Sequence, residues 1–342
     1  MITTKSRITL KDVADVAHVS ATTVSLALRS DPRLPTDTTE RVRSIARQLG
    51  YQRDPWLSSL SSYRKSQRRN PGHTIIALLT NWNEKDDWRR RETFRKYHDG
   101  IKDQAEAIGF RTEEFWLPEN GGARRTAEIL YHRGINGVVV FPLPAEEDKL
   151  EFNFSNFSAI QIGRSLHTPP LHSVSHNHFK AVVTALEELT ALGYRRIGLA
   201  IPKAHDDIQS ARWSGAFLGQ QKHFGEQIGN APIFLADNFE KASFIKWVKR
   251  HNCDAVLSTE DCAHQWLVEE GYQIPKDIGF AHLTMDNAKQ LSGILLNSTQ
   301  TGAQAINLLN TFITSGQRGI PQTPLTLVVD GAWHPGNTLR PQ

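Results

Sequence analysis

From residue 73 onward, short apolar segments alternate with amphipathic stretches of helical period, and this alternation limits the fold more than any other feature. Segments 74–79, 112–117, 137–141, 159–162, 196–201, 232–235, 255–258, 278–283 and 325–329 read as strands. Segments 90–108, 123–132, 177–192, 210–227, 239–250, 261–271 and 300–314 read as helices. A strand–helix alternation builds parallel sheets with both faces covered. Two sheets of about six strands fit the usual sheet size better than one larger sheet. The predicted core is therefore a two-lobed α/β domain.

Ahead of it lie three short helices. In the first, Leu10, Val13, Ala14, Val16 and Ala17 recur at helical spacing. Ser20 is placed to cap a second helix over 21–28, with Val24, Ala27 and Leu28 inward. The third spans 36–49, with Val42, Ile45, Ala46 and Leu49 inward and Gly50 past its end. Asp54-Pro55 punctuates the chain, 56–61 can form one or two turns, and the polar segment 63–72 reads as a linker. Residues 1–70 carry 13 Lys/Arg against 6 Asp/Glu, whereas the remainder is mildly acidic. A basic head on an acidic body is the footprint of a nucleic-acid module. In a helix-turn-helix of this size the second helix enters the major groove and its N-terminal residues face the bases. A helical hairpin for protein contacts is the alternative.

Several classes are disfavoured. No apolar stretch approaches the ~20 residues needed to span a bilayer. No signal-peptide region follows the polar N-terminus, so a cytoplasmic location and no membrane partner are expected. The two cysteines, Cys253 and Cys262, fit neither a zinc pattern nor a disulfide framework. His172, His176 and His178 cluster in sequence but lack a carboxylate or cysteine partner, so no metal is expected. No phosphate loop, nucleophile elbow or paired catalytic carboxylates appear, and neither an enzyme nor a cofactor is predicted.

Residues 9–14 (Thr-Leu-Lys-Asp-Val-Ala), 19–25 (Val-Ser-Ala-Thr-Thr-Val-Ser), 38–42 and Leu49-Gly50-Tyr51 resemble the LacI/GalR family of bacterial repressors, without a gap over 8–61. The resemblance implies a small all-α helix-turn-helix domain at 1–53 and a hinge helix with linker at 54–72. A two-lobed α/β core, similar to type I periplasmic binding proteins, would occupy 73–342. It implies an N-lobe of about 73–170 plus 299–317 and a C-lobe of about 173–294 plus 323–342. Crossings would fall near 168–173, 294–298 and 317–323. It further implies a homodimer on double-stranded operator DNA. Ala21, Thr22 and Leu26 would face bases, and Thr9, Ser20, Thr23, Ser25, Arg29 and Thr38 would touch phosphates. Leu57 and Leu60 fall on the hinge helix, with Leu60 at the position of the minor-groove wedge. Two residues depart from the pattern. Leu26 stands where many members carry a polar base reader, and Pro35 replaces the serine that usually caps the third helix.

For the core, Arg212-Trp213-Ser214-Gly215 is similar to the family's Arg-x-x-Gly segment, whose arginine reaches a ligand between the lobes. Glu260 replaces a frequent ligand-binding Asn. The Asp that grips sugar hydroxyls is absent, with Thr284 or Asp286 nearby. Asn81 and Trp82 follow the first core strand, at the cleft end of a parallel sheet. A small-molecule effector, carbohydrate-like or carboxylate-bearing, is expected on Arg212, Glu260, Asn81, Trp82 and Thr284. The leading reading is an effector-controlled transcriptional regulator of the repressor type. A ligand-binding protein without specific DNA binding, or an enzyme on the same scaffold, are the alternatives.

Overall fold

A computed structural model describes residues 8–28, 34–51, 74–144, 147–225, 233–287 and 290–340. The chain divides into two units, Met1–Pro71 and Gly72–Gln342. In the first unit α1 (Leu10–Ala17), α2 (Ala21–Ala27) and α3 (Thr36–Gln48) form a three-helix bundle. Thr9 and Asp12 form a capping box at the start of α1. The chain turns after α1 through His18, whose φ of 53° is left-handed. Small residues let the helices approach closely: Val13, Ala14, Ala17, Val24, Ala27, Val42 and Ala46 are buried together. Pro35 occupies the N-cap of α3 and supplies no side-chain bond. Its ring fixes φ near the helical value instead.

The second unit holds two six-stranded sheets. The first has strands β1 (Thr74–Thr80), β2 (Phe110–Trp116), β3 (Gly137–Val140), β4 (Ser158–Ile162), β5 (His172–His176) and β11 (Thr326–Val329). Their order is β11-β5-β4-β3-β1-β2, all parallel. The second has β6 (Ile197–Pro202), β7 (Ile233–Ala236), β8 (Ala255–Ser258), β9 (Gly279–Met285), β10 (Ser292–Leu295) and β12 (Ala332–Pro335). Their order is β12-β10-β9-β8-β6-β7, with β12 antiparallel to β10. The strands are apolar on both faces because both are covered. Ala77, Leu79, Val138 and Val140 pack into one cluster, and Ile76, Leu78 and Val139 into the opposite one.

The helices of the second unit are α4 (Glu92–Ala107), α5 (Ala123–His132), α6 (His178–Ala191), α7 (Lys203–Ile208), α8 (Arg212–Phe224), α9 (Lys241–His251), α10 (Asp261–Glu269) and α11 (Ser298–Ser315). α4 and α11 lie side by side on the first sheet through Tyr97, Ile101, Ala105, Ala305, Ile306 and Leu309. α6 covers the second sheet through Val182, Ala185, Leu186 and Leu189.

Strand pairing moves two of the three expected crossings. β5 pairs with β4 and β11, so the first crossing comes after His176, not at 168–173. β11 also belongs to the first sheet, so the last crossing falls between Val329 and Ala332, not at 317–323. The first lobe thus takes in 173–176 and 326–329, both assigned above to the second. The polar sequence of β5 disguised it as a connection. Two of its polar side chains bond to the edge strand β11 and the residue before it: His172 Nδ1 accepts from Leu325 N at 3.0 Å, and Ser173 Oγ lies 3.1 Å from Thr326 Oγ1. The return crossing, between Leu295 and Ser298, lies inside the expected 294–298.

Candidate nucleic-acid interface and effector cleft

In the first unit, Ser20 Oγ accepts from Thr23 N at 3.1 Å and lies 2.9 Å from Thr23 Oγ1, which fixes the start of α2. Val24 and Ala27 point into the bundle. Ala21 and Thr22 are exposed, and Ser25 and Leu26 are half-buried. Leu26 is absent from the bundle's packed cluster, so it sits on the outer side with Ala21, Thr22 and Ser25. Thr9 is exposed, and its Oγ1 donates to Asp12 Oδ2 at 2.7 Å. The Thr9 N–H, then its hydroxyl, hold the Asp12 carboxyl below its ordinary pKa. Thr38 is half-buried near the start of α3. Arg29, Leu57 and Leu60 lie outside the described residues, as does the expected hinge over 54–61.

In the second unit, Arg212 opens α8. Two consecutive left-handed residues precede it, Ser210 (φ 55°) and Ala211 (φ 56°). Side chains with a Cβ pay for that conformation, so something must hold the turn. Asp206 holds it: its carbonyl accepts from Ala211 N at 2.9 Å and its Oδ1 from Ser214 N at 3.2 Å. The turn delivers Arg212 beside the buried pair His178 and Trp213, whose rings lie 4.4 Å apart between centroids.

The remaining expected effector residues are engaged elsewhere. Asn81 Nδ2 donates to Glu147 Oε2 at 2.5 Å. Trp82 Nε1 donates to Pro142 O at 2.9 Å, and the Trp82 carbonyl accepts from Trp116 Nε1 at 2.7 Å. Glu260 Oε1 lies 2.9 Å from His205 Nδ1 and accepts from Thr259 Oγ1 at 3.0 Å. Thr284 is half-buried, its N–H donating to His282 Nδ1 at 3.1 Å. None of these bonds joins them to Arg212.

Sequence reasoning missed Arg164, which follows Gly163 just past the end of β4. The cleft end of a parallel strand was the available signal. Arg164 and Arg212 are close enough that Arg212 adds to burial in lowering the Arg164 pKa. Burial, then His176, Arg212 and Arg164, push His178 well below the ordinary histidine value. Burial alone takes His176 to about 4. Both rings are therefore neutral near pH 7. Among the described residues no group of three His, Cys, Asp or Glu is placed to hold a metal.

Residues 9–54 match the family described as bacterial regulatory proteins, lacI family. The chain is similar to the HTH-type transcriptional repressor PurR of Haemophilus influenzae, 24% identical over 335 residues, 92% of this chain and 94% of the relative. It is also similar to the HTH-type transcriptional regulator MalR of Streptococcus pneumoniae, 25% identical over 264 residues, 74% of this chain and 76% of the relative. Its fold matches the lac repressor dimer bound to operator and the anti-inducer ONPF. That match has a TM-score of 0.56 and 17% identity, and covers 98% of this chain and all of the other. The head of the chain thus matches the family described as bacterial regulatory proteins, lacI family, over residues 9–54, and most of its length is similar to proteins named as transcriptional regulators.

Proposed function

We propose that the protein is a sequence-specific transcriptional repressor that binds a near-palindromic operator as a homodimer. A small molecule held between the lobes of the core sets its affinity for the operator. The observation that carries the reading is the outer side of α2. There Ala21, Thr22, Ser25 and Leu26 lie opposite the packed Val24 and Ala27, on a unit with strong positive charge. Small hydroxyl side chains allow close approach to phosphates and base edges. Leu26 has no hydrogen-bonding group and suits contact with a thymine methyl. Thr9, Ser20, Thr23, Arg29 and Thr38 serve as phosphate contacts. Residues 54–72 act as hinge and linker, with Leu57 as a further DNA contact and Leu60 as the minor-groove wedge.

In the core, Arg212 is the effector contact and Asn81, Trp82, Glu260 and Thr284 lie around the site. The names of PurR and MalR support the regulatory reading and a non-enzymatic role. No described helix is long and apolar enough to cross a membrane. A cytoplasmic location fits a protein that must reach DNA.

The test is selection of bound sequences from a random duplex pool by the purified chain. The expected product is a two-fold symmetric site with half-sites about 10 bp apart. Its affinity should fall at least roughly a thousandfold between 50 and 200 mM salt, the behaviour of a protein with several phosphate contacts. A pool with no enriched sequence, bound equally at both salt concentrations, would overturn the proposal.

A further inference from the structure

We propose that Arg164 and Arg212 form a two-sided clamp for an anionic group, carboxylate or phosphate, on the ligand of the core. The proposal rests on the cleft reading above and adds the ligand's charge. The two guanidinium groups come from different lobes, Arg164 from the end of β4 in the first and Arg212 from the start of α8 in the second. Arg164 lies in the positive field of Arg212, and both charges act on the buried His178. Among the described residues no carboxylate pairs with either. Three carboxylates of the core are committed to other partners: Glu147 to Asn81, Glu260 to His205, and Asp206 to the Ser214 N–H.

Around the two charges, three buried polar atoms have no partner among the described residues: Arg164 Nε, His178 Nδ1 and Trp213 Nε1. Among the described residues, the one bond from the Arg164 guanidinium is a long one, 3.4 Å from Nη1 to Thr326 Oγ1. Two like charges and orphaned donors in one half-dry place are unfavourable unless a third body answers them. A planar carboxylate or a phosphate does so, because its oxygens accept from a guanidinium fork in pairs and its charge offsets the repulsion. A neutral sugar offers acceptors and leaves both charges uncompensated. Since the arginines stand on opposite lobes, an anion between them also draws the lobes together.

The experiment uses the full chain with glucose, glucuronate, gluconate and glucose 6-phosphate as probes, read by thermal shift and by Trp fluorescence. At least one charged probe is expected to raise Tm by about 3 °C or more at saturating concentration, while glucose has no effect. The carboxylate and phosphate arms show which head group is preferred. Arg164→Gln and Arg212→Gln should each weaken binding at least roughly a hundredfold, and Arg212→Lys should restore part of it. Without ligand, Arg164→Gln should leave Tm unchanged or raise it, since it removes one of two repelling charges. A fall of more than about 5 °C in that variant would show that the guanidinium supports the fold, and would overturn the clamp. Stabilisation by glucose equal to that by its charged derivatives, or no binding of any charged probe, overturns it as well. Operator binding measured alongside separates the two claims. A charged probe that needs both arginines but leaves operator affinity unchanged upholds the clamp and removes its role as effector. A neutral sugar that alone releases the operator does the reverse.

Discussion

His176, 3% exposed at the end of β5, lies among groups from three helices and the segment after β9. The Tyr97 ring of α4 stacks on it at 5.4 Å, and the Ser298 and Thr301 hydroxyls of α11 approach at 3.4 and 3.3 Å. The His178 ring lies 5.9 Å away at the start of α6, and Asp286 past β9 accepts from the same Ser298 hydroxyl at 2.6 Å. Burial lowers its pKa from 6.5 to about 4. The unfolded chain then binds more protons than the folded one between those values, so stability is full above pH 6.5 and is lost as pH falls toward 4. The shift corresponds to about 3 kcal/mol. His178 and His172, also lowered by burial, act in the same direction. Urea melts at pH 7 and 4.5 should show this loss, and His176→Gln should make it smaller. Equal stability at the two pH values in the parent chain would refute the argument. At this scale the sequence showed residues that act through local pattern, such as Ser20 as a cap and Leu26 on the outer side of α2. It could not show Arg164, whose meaning comes from the distant Arg212. Nor could it show that the closely spaced His172, His176 and His178 are buried as neutral rings.

Among the elements, α4 and α11 approach each other through paired glycines. A Cβ at Gly100 would lie 1.9 Å from Thr299 O, and one at Gly302 would lie 2.2 Å from Tyr97 O. Both obstacles are backbone and cannot turn aside. Gly100→Ala and Gly302→Ala should each cost about 3 kcal/mol by forcing the helices apart. Gly219 on α8 has nothing within 4 Å, so Gly219→Ala should be neutral or stabilise by up to about 1 kcal/mol. Chemical denaturation of the three variants checks the contrast, and equal effects would contradict it. The helices were readable because their apolar period survives over many residues. β5, β10 and β12 were not, for separate reasons. β5 is mostly polar, β10 bends at Gly293 (φ 151°) against the His282 backbone, and β12 holds only four residues, paired with a single neighbour. α7 was missed because six residues carry too little period.

In the core unit as a whole, α4 of the first lobe grips the segment after β9 in the second. Thr93 donates to the Asp286 carboxylate, and Lys96 Nζ donates to the Asp286 carbonyl and to Asn287 Oδ1 at 2.8 Å. Lys96→Met should loosen this closure without opening either sheet. Hydrogen exchange over 284–287 and 92–97 should quicken about tenfold, the equivalent of one lost charge-assisted contact, while exchange in β3 and β8 stays unchanged. Unaltered exchange at both segments would mean that other contacts hold the lobes. The two-lobe plan was visible in the strand–helix alternation, but the crossings were not, since which strand pairs with which is a long-range property. The pairing has a consequence for the chain as it is made. Ile76, Leu78, Val139 and Phe141 of the first lobe are covered by Ala305, Ile306, Leu309 and Phe312. These partners are synthesised only after β6 to β10 of the second lobe. At ordinary translation speed the wait is roughly ten to thirty seconds. Strands β6 to β10 of the second lobe can assemble while the first still stands open on the ribosome, and a newborn chain leaves the part of that apolar face that α4 does not cover bare until α11 emerges.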